Sequence, residues 1–177
     1  EYKGFVKKES EIIELFYFKF QDFPLLSRMD AVADYFIDEV ETLRERDLAD
    51  DEKDLIREKF MKLYVTGDLY VIYSQFLKEN GYKGLPRVSY EKRKLKYEDV
   101  YPVLYLKYRL QSQQGRSNIK HLVVDEMQDY SRLQYEILQR IFSCRMTILG
   151  DRAQTMDDKQ QDVLKFLPKI FGRDIHK

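Results

Sequence analysis

The sequence predicts an α/β protein in which a largely helical part precedes a short parallel sheet. In residues 27–81 the apolar side chains recur every three or four positions, as they do on one face of a helix. After residue 111 the pattern changes to two short runs rich in β-branched residues, 119–124 and 146–149, with one helical segment between them. The polar, glycine-containing stretch 111–115 separates the two patterns. We therefore predict a mainly helical region over residues 1–111 and a sheet-containing region over residues 112–177.

The helices of the first region have start and stop signals. Four helices are predicted, over residues 27–46, 51–64, 68–81 and 97–111. Ser27, with Asp30 three positions later, is expected to cap the first, and Asp68 is expected to cap the third. Gly81 is expected to end the third helix, and Pro102 lies near the first turn of the fourth, where its missing donor does little harm.

The second region is predicted as a strand, a helix and a second strand. Ser131 and Gln134 have the spacing of a capping box, which opens a helix running to Phe142. A strand–helix–strand unit of this length makes a parallel pair, and both strands are expected to be buried. The carboxyl ends of parallel strands meet at one edge of the sheet, where ligands bind. We therefore expect Asp125 and Asp151, which follow the two strands, to share that edge.

The chain ends in an apolar segment, formed by Leu164, Phe166, Leu167, Ile170 and Phe171. We expect Pro168 to interrupt its helix, since proline lacks the backbone donor. This apolar face is expected to lack a partner within the chain.

Composition excludes several classes of protein. The 31 Lys and Arg balance the 31 Asp and Glu, so the net charge is zero and gives no general attraction to nucleic acid or anionic membrane. A single cysteine, Cys144, rules out an intrachain disulfide and a cysteine-rich metal site, as is typical of the cytoplasm. No apolar run approaches the roughly 18 residues that span a bilayer, so we expect no membrane association and a cytoplasmic location.

The acidic and amide residues after the first strand indicate phosphate chemistry. Mg²⁺ prefers oxygen ligands and bridges substrate phosphates, so Asp125 is the candidate for the metal. Glu126 is the candidate base for an attacking water, and the amides of Gln128 and Gln154 are suited to sensing a phosphate. A lone Asp-Glu pair at a strand end is usually only where solvent begins. The repetition after one helix and one strand, with Gly150-Asp151 and Gln154, makes the functional interpretation the stronger one.

At this point a family resemblance can be stated. Residues 123–129 resemble motif II, the Walker B element, of UvrD/Rep-type superfamily 1 helicases, and residues 149–154 resemble their motif III. The resemblance implies a partial RecA-like core of the P-loop NTPase class, with ATP and Mg²⁺ as cofactors and DNA as partner. It implies Asp125 for Mg²⁺, Glu126 as catalytic base and Gln128 for coupling nucleotide to nucleic acid. It places Gln154 near the γ-phosphate and makes Asp151 a further nucleotide-binding candidate.

The helical region is interpreted through the same resemblance. It corresponds to an inserted accessory subdomain of the 1B type. Residues 97–107 resemble the HelD-like branch, which implies an alternative partner, RNA polymerase. A further alternative is a non-hydrolysing interaction module in which Asp125 and Glu126 have only a structural role.

Departures from the family pattern limit what the chain is expected to do. Met127 stands where the family usually has alanine, and Thr155-Met156-Asp157 replaces an aromatic-containing sequence. No Gly-x-x-x-x-Gly-Lys-Ser/Thr phosphate loop occurs in the sequence. We therefore expect the chain to be a piece of a longer motor and to be inactive as an ATPase by itself.

One further cluster lies in the helical region. Arg87, Lys92, Arg93, Lys94 and Lys96, with Tyr90 and Tyr97 nearby, combine basic and aromatic residues in the manner of a single-strand contact surface. The alternative is an ordinary solvated loop, since charge runs are usually surface.

Overall fold

The computed structural model describes residues 2–111, 118–150 and 163–172. These residues form two compact units, one within Glu1–Leu85 and Arg109–Ser112 and the other within Pro86–Tyr108 and Gln113–Lys177. The described helices are α1 Glu9–Glu14, α2 Arg28–Arg44, α3 Asp50–Met61, α4 Leu69–Glu79, α5 Tyr97–Leu110, α6 Arg132–Ile141 and α7 Val163–Phe171. The described strands are β1 His121–Val124 and β2 Arg145–Ile148. The prediction of an α/β fold is confirmed, while the domain boundary after residue 111 stays a prediction.

The core of the first unit is the apolar face of α2. Val32, Ala33 and Val40 are completely buried, and their three- and four-residue spacing brings them to one side of the helix. They form one cluster with Ile56 and Phe60 of α3. Each large apolar side chain buried in this way contributes about 1.5–3 kcal/mol to stability. The helix pair therefore follows directly from the sequence periodicity.

Two of the four predicted helix signals, those at Asp68 and Gly81, are present as expected. Asp68 accepts a hydrogen bond from the Tyr70 amide at 3.0 Å, and Gly81 adopts a φ of 80° just after α4. Ser27 does not make the predicted cap hydrogen bond, because it closes a 3₁₀ turn, Leu25–Ser27, and already has helical dihedral angles. Pro102 lies in the second turn of α5, beyond the first-turn position at which proline costs nothing.

A parallel pair of strands organises the second unit. The register joins His121 to Arg145 and Val124 to Ile148. Helix α6 begins with the predicted capping box, in which the Ser131 amide donates to Gln134 Oε1 at 2.7 Å. The expectation that both strands are buried is wrong for the described residues, because successive side chains point to opposite faces and only one face is covered. Val124 is 5% exposed, whereas Val123 is 61% exposed.

The apolar segment after residue 162 covers that face of the sheet. Phe166, Leu167 and Ile170 are buried in one cluster with Val124 and Tyr135. Two expectations are therefore wrong. The apolar face does have a partner within the chain, and α7 continues through Pro168 instead of being interrupted there. Burial of three large side chains outweighs the roughly 3 kcal/mol that a proline costs inside a helix.

Within the described ranges, no helix combines the length and apolar character that crossing a bilayer requires.

Candidate functional site

The candidate site lies where the two strands end. Beyond the last paired residues, the Leu149 amide donates to the Val124 carbonyl at 2.7 Å. The Met127 amide then donates to the Leu149 carbonyl at 2.8 Å. These two hydrogen bonds hold the segment after β1 against the segment after β2. The segments that follow the two strands therefore lie side by side up to Gly150, and the place of Asp151 at this edge stays a prediction.

Asp125 and Glu126 turn the chain sharply at this edge. Glu126 has φ 51° and ψ 53°, the left-handed conformation that residues with a side chain rarely adopt. The Oδ1 atom of Asp125 accepts a hydrogen bond from the Glu126 amide at 2.9 Å. Both carboxylates belong to exposed residues. The turn thus presents two negatively charged side chains in succession beyond the end of β1.

Gln128 contacts the second of these carboxylates. After the turn, the chain forms a 3₁₀ helix, Met127–Asp129, in which the Asp129 amide donates to the Glu126 carbonyl at 2.9 Å. This turn brings the Gln128 Nε2 atom to 2.5 Å from Glu126 Oε2, to which it donates. The Gln128 Oε1 atom is buried and accepts no hydrogen bond from the described residues. Gln128 therefore restrains the Glu126 carboxylate, while its own amide oxygen has no donor among the described residues.

Gly150 allows the two segments to approach closely. A Cβ atom at this position would lie 2.3 Å from Met127 Cγ, 2.8 Å from Met127 N and 2.8 Å from Gln128 Oε1. Real Cβ atoms essentially never lie within 3.0 Å of such neighbours. Only glycine fits here without displacing Met127 or Gln128. Met127 lies over Gly150 and packs against the cluster of Val124 and Tyr135.

Tyr135 supports the turn from below. Its side chain is completely buried, and its hydroxyl donates to the Met127 carbonyl at 2.9 Å. Burial, with a smaller contribution from Tyr130, raises the pKa of Tyr135 to about 12, so the hydroxyl keeps its proton at neutral pH. Tyr135 is not among the site residues predicted from the sequence. Its spacing of three residues from Leu138 was the available signal.

The donor atoms at this edge fit a hard cation. Asp125 offers a solvent-accessible carboxylate directly after the strand, and the other available groups are carboxylate and amide oxygens. Mg²⁺ usually takes one or two protein carboxylates and completes its shell with water and phosphate oxygens. In the described part of the chain, no group of three or more His, Cys, Asp or Glu residues is arranged so that it could hold a metal ion.

The predicted site residues are only partly covered by the structure. Asp125, Glu126 and Gln128 lie together, with Glu126 and Gln128 in direct contact. Asp151 and Gln154 lie outside the described residues. Their predicted roles stay predictions.

Comparison with known proteins adds one finding. A model of the UvrD/REP helicase N-terminal domain matches residues 21–156, which are 136 of the 177 residues. The matched range includes α2 to α6, both strands and the edge formed by residues 125–128 and Gly150. Comparison with curated proteins gives no match.

Proposed function

The chain belongs to the UvrD/REP helicase family, and from this premise we propose that it supplies part of the ATP-hydrolysing core of a superfamily 1 motor. The motor would couple ATP hydrolysis to movement along DNA, in the cytoplasm. Members of the family act on nucleic acid and use ATP with Mg²⁺, and the mixed fold with a small parallel sheet is consistent with a partial RecA-like core.

One observation carries the proposal. The turn after β1 holds Glu126 by a hydrogen bond from Gln128, next to the exposed carboxylate of Asp125, and Gly150 lies against Met127 and Gln128 of the same turn. Phosphoryl transfer depends mainly on positioning and electrostatic stabilisation. A carboxylate that is both exposed and restrained is suited to that task.

The proposed roles combine this geometry with the family resemblance of residues 123–129 and 149–154. Asp125 would hold Mg²⁺, which when bound neutralises phosphate charge and helps to orient the nucleotide. Glu126 would accept a proton from the attacking water, and Gln128 would keep the Glu126 carboxylate in place. Because its amide oxygen accepts no hydrogen bond from the described residues, Gln128 could also report the arrival of a donor. Asp151 and Gln154 are proposed to contact the nucleotide, with Gln154 near the γ-phosphate.

The chain supplies only part of such a site. A phosphate-binding loop donates backbone amides and a lysine to the phosphates, and no such sequence occurs here. We therefore expect no Mg²⁺-dependent ATP hydrolysis by the chain alone. Residues 1–111 would form the accessory, 1B-like subdomain.

The decisive experiment removes the proposed base. In a polypeptide that joins this chain to a phosphate-binding loop, Glu126→Gln should lower the rate of DNA-stimulated ATP hydrolysis about 100-fold to 10,000-fold, the usual contribution of a general base. ATP affinity should change little. Glu136→Gln on α6, which removes a carboxylate paired with Arg132, is the matched control and should retain activity. Equal hydrolysis by the Glu126→Gln variant and the unaltered protein would refute the assignment.

A narrower proposal concerns the HelD-like branch. It rests on the resemblance of residues 97–107, which lie in α5, and it would make the helical region an arm that binds RNA polymerase. Strand-separation assays with and without polymerase distinguish this motor from a DNA helicase. A non-hydrolysing interaction module would show no effect of Glu126→Gln in any of these assays.

A further inference from the structure

A strongly basic segment lies in the second unit, immediately before α5. Residues 87–97, here called the basic segment, contain five Lys or Arg and one acidic residue, Glu91, which gives a formal charge of +4. The whole chain has a formal charge of zero. These eleven residues therefore carry a local excess of positive charge, which attracts anions even though the chain as a whole is neutral.

Most of this charge is free to meet a ligand. Arg87, Lys92 and Lys94 are exposed, and no carboxylate among the described residues forms an ion pair with any of them. Lys96 contacts Glu98 at 3.5 Å, but both side chains remain largely in solvent. Charges without an internal partner lose little when they bind a phosphate.

Two exposed aromatic rings, Tyr90 and Tyr97, lie among these charges. Tyr90 is 79% exposed and Tyr97 is 76% exposed. The Arg93 guanidinium lies 5.5 Å from the centre of the Tyr90 ring, and Tyr101 packs edge-on against Tyr97 at 5.8 Å. Each ring is thus supported on one side by the protein and open on another. Exposed aromatic rings close to positive charges are the combination that binds single-stranded nucleic acid.

The backbone presents these side chains outward. A single 3₁₀ turn, Tyr90–Lys92, is closed by the Lys92 amide donating to the Ser89 carbonyl at 3.0 Å. Residues 93–96 then continue without helix or strand to the first turn of α5. The basic segment is therefore not an amphipathic helix, the form in which a basic surface usually binds a membrane.

We propose that the basic segment binds single-stranded nucleic acid, with its free cations on the phosphates and Tyr90 and Tyr97 stacking on bases. Phosphate neutralisation together with base–aromatic stacking is how single strands are held without sequence preference. The inference rests on the proposed function, because it identifies the surface by which that motor would hold nucleic acid.

The test is a binding titration without nucleotide. The 177-residue chain is titrated against a fluorescent oligothymidylate of about 16 nucleotides, the upper range of single-strand site sizes, and anisotropy is followed over a series of salt concentrations. Arg87→Gln/Lys92→Gln/Lys94→Gln should weaken binding. It should also make the slope of log affinity against log salt shallower by about 2, since each phosphate contact to a single strand contributes about 0.7.

Matched controls separate local contact from general charge. Lys62→Gln/Lys107→Gln/Lys120→Gln removes three exposed positive charges outside the basic segment and should change the salt slope little. Tyr90→Leu should weaken binding about fivefold or more, because a base loses its stacking partner. Tyr17→Leu, at a ring that is 58% exposed in the first unit, should have no effect. Circular dichroism verifies that every variant remains folded.

Several results would overturn the proposal. These are no binding at low salt, equal losses in the two triple variants, no effect of Tyr90→Leu, binding to duplex as tight as to single strand, or displacement by polyglutamate at equal charge. A parallel titration with oligouridylate shows whether the basic segment prefers RNA or DNA. Tighter binding of either single strand supports the proposal. Because Glu126 is unchanged and no ATP is present, failure here is separate from failure of the hydrolysis proposal.

Discussion

Replacing Gly150 with alanine tests whether the two segments after the strands are held together by close packing. The added Cβ would lie 2.3 Å from Met127 Cγ, about 1 Å closer than an ordinary contact of 3.4 Å or more. The Met127 side chain can rotate away, but the Met127 amide nitrogen, at 2.8 Å, is fixed by its hydrogen bond to the Leu149 carbonyl. Some movement of the backbone at the site is therefore expected.

The magnitude follows from two opposing effects. Overpacking of this kind costs about 1–3 kcal/mol, whereas alanine restricts the unfolded chain and returns about 0.4–1 kcal/mol. We expect Gly150→Ala to lower the free energy of unfolding by about 1–2 kcal/mol. At Gly67, where a Cβ would meet nothing within 4 Å, the same change should be neutral or stabilising.

The assay combines global and local measurements. Urea unfolding followed by circular dichroism gives the free energy, and hydrogen exchange of the Leu149 and Met127 amides reports the hydrogen bonds at the site. A double-mutant cycle with Met127→Ala, which removes the Cγ atom, should give a coupling of about 1 kcal/mol. Additivity within about 0.5 kcal/mol, or a stabilisation equal to that of Gly67→Ala, would refute the packing argument.

Two further predictions concern single hydrogen-bonding groups. Tyr135→Phe leaves the Met127 carbonyl without its donor and should lower the free energy of unfolding in urea by about 1–2 kcal/mol. Tyr130→Phe in the same cluster should lower it less. Equal losses in the two variants would contradict the role of the Tyr135 hydroxyl. A hydrogen bond from the Lys3 ammonium, and a smaller contribution from the Tyr2 hydroxyl, lower the pKa of Glu52 from 4.5 to about 2. The ionised Glu52 therefore contributes its full stabilisation above pH 4.5, and this stabilisation is lost as the pH falls towards 2. Glu52→Gln should therefore make the melting temperature depend less on pH between 2 and 4.5. A pH dependence as steep as that of the unaltered protein would show that other carboxylates cause it.

Apolar spacing was sufficient to predict the main helices and both strands. The buried residues of α2 recur at the spacing that the sequence shows, and burial of that face dominates the local energetics. The end of α4 at Gly81 and the start of α6 at Ser131 were also predictable, because each depends on a side chain acting within one turn. Interactions that form within one turn can therefore be predicted from the sequence.

Features that depend on distant partners were not predictable. The continuation of α7 through Pro168 depends on burial against Val124 and Tyr135, which lie far away in the sequence. The π-helical turn Leu15–Lys19 carries an aromatic-rich run with no helical period to reveal it. At the candidate site, the sequence indicated the shared strand edge and the acidic residues. The contact of Gln128 with Glu126 and the closeness of Gly150 depend on the dihedral angles of one turn, which the residue types do not determine.

The left-handed backbone at Glu126 sets stability against activity at a single position. Such a conformation costs a residue with a side chain roughly 1 kcal/mol or more, and glycine adopts it almost without cost. The turn would therefore be easier to build with glycine at the position where the proposed reaction requires a carboxylate. Selection of this chain for heat resistance alone would favour replacement of Glu126 and would remove the proposed base. A thermostabilised version of the protein should be engineered with this residue held fixed.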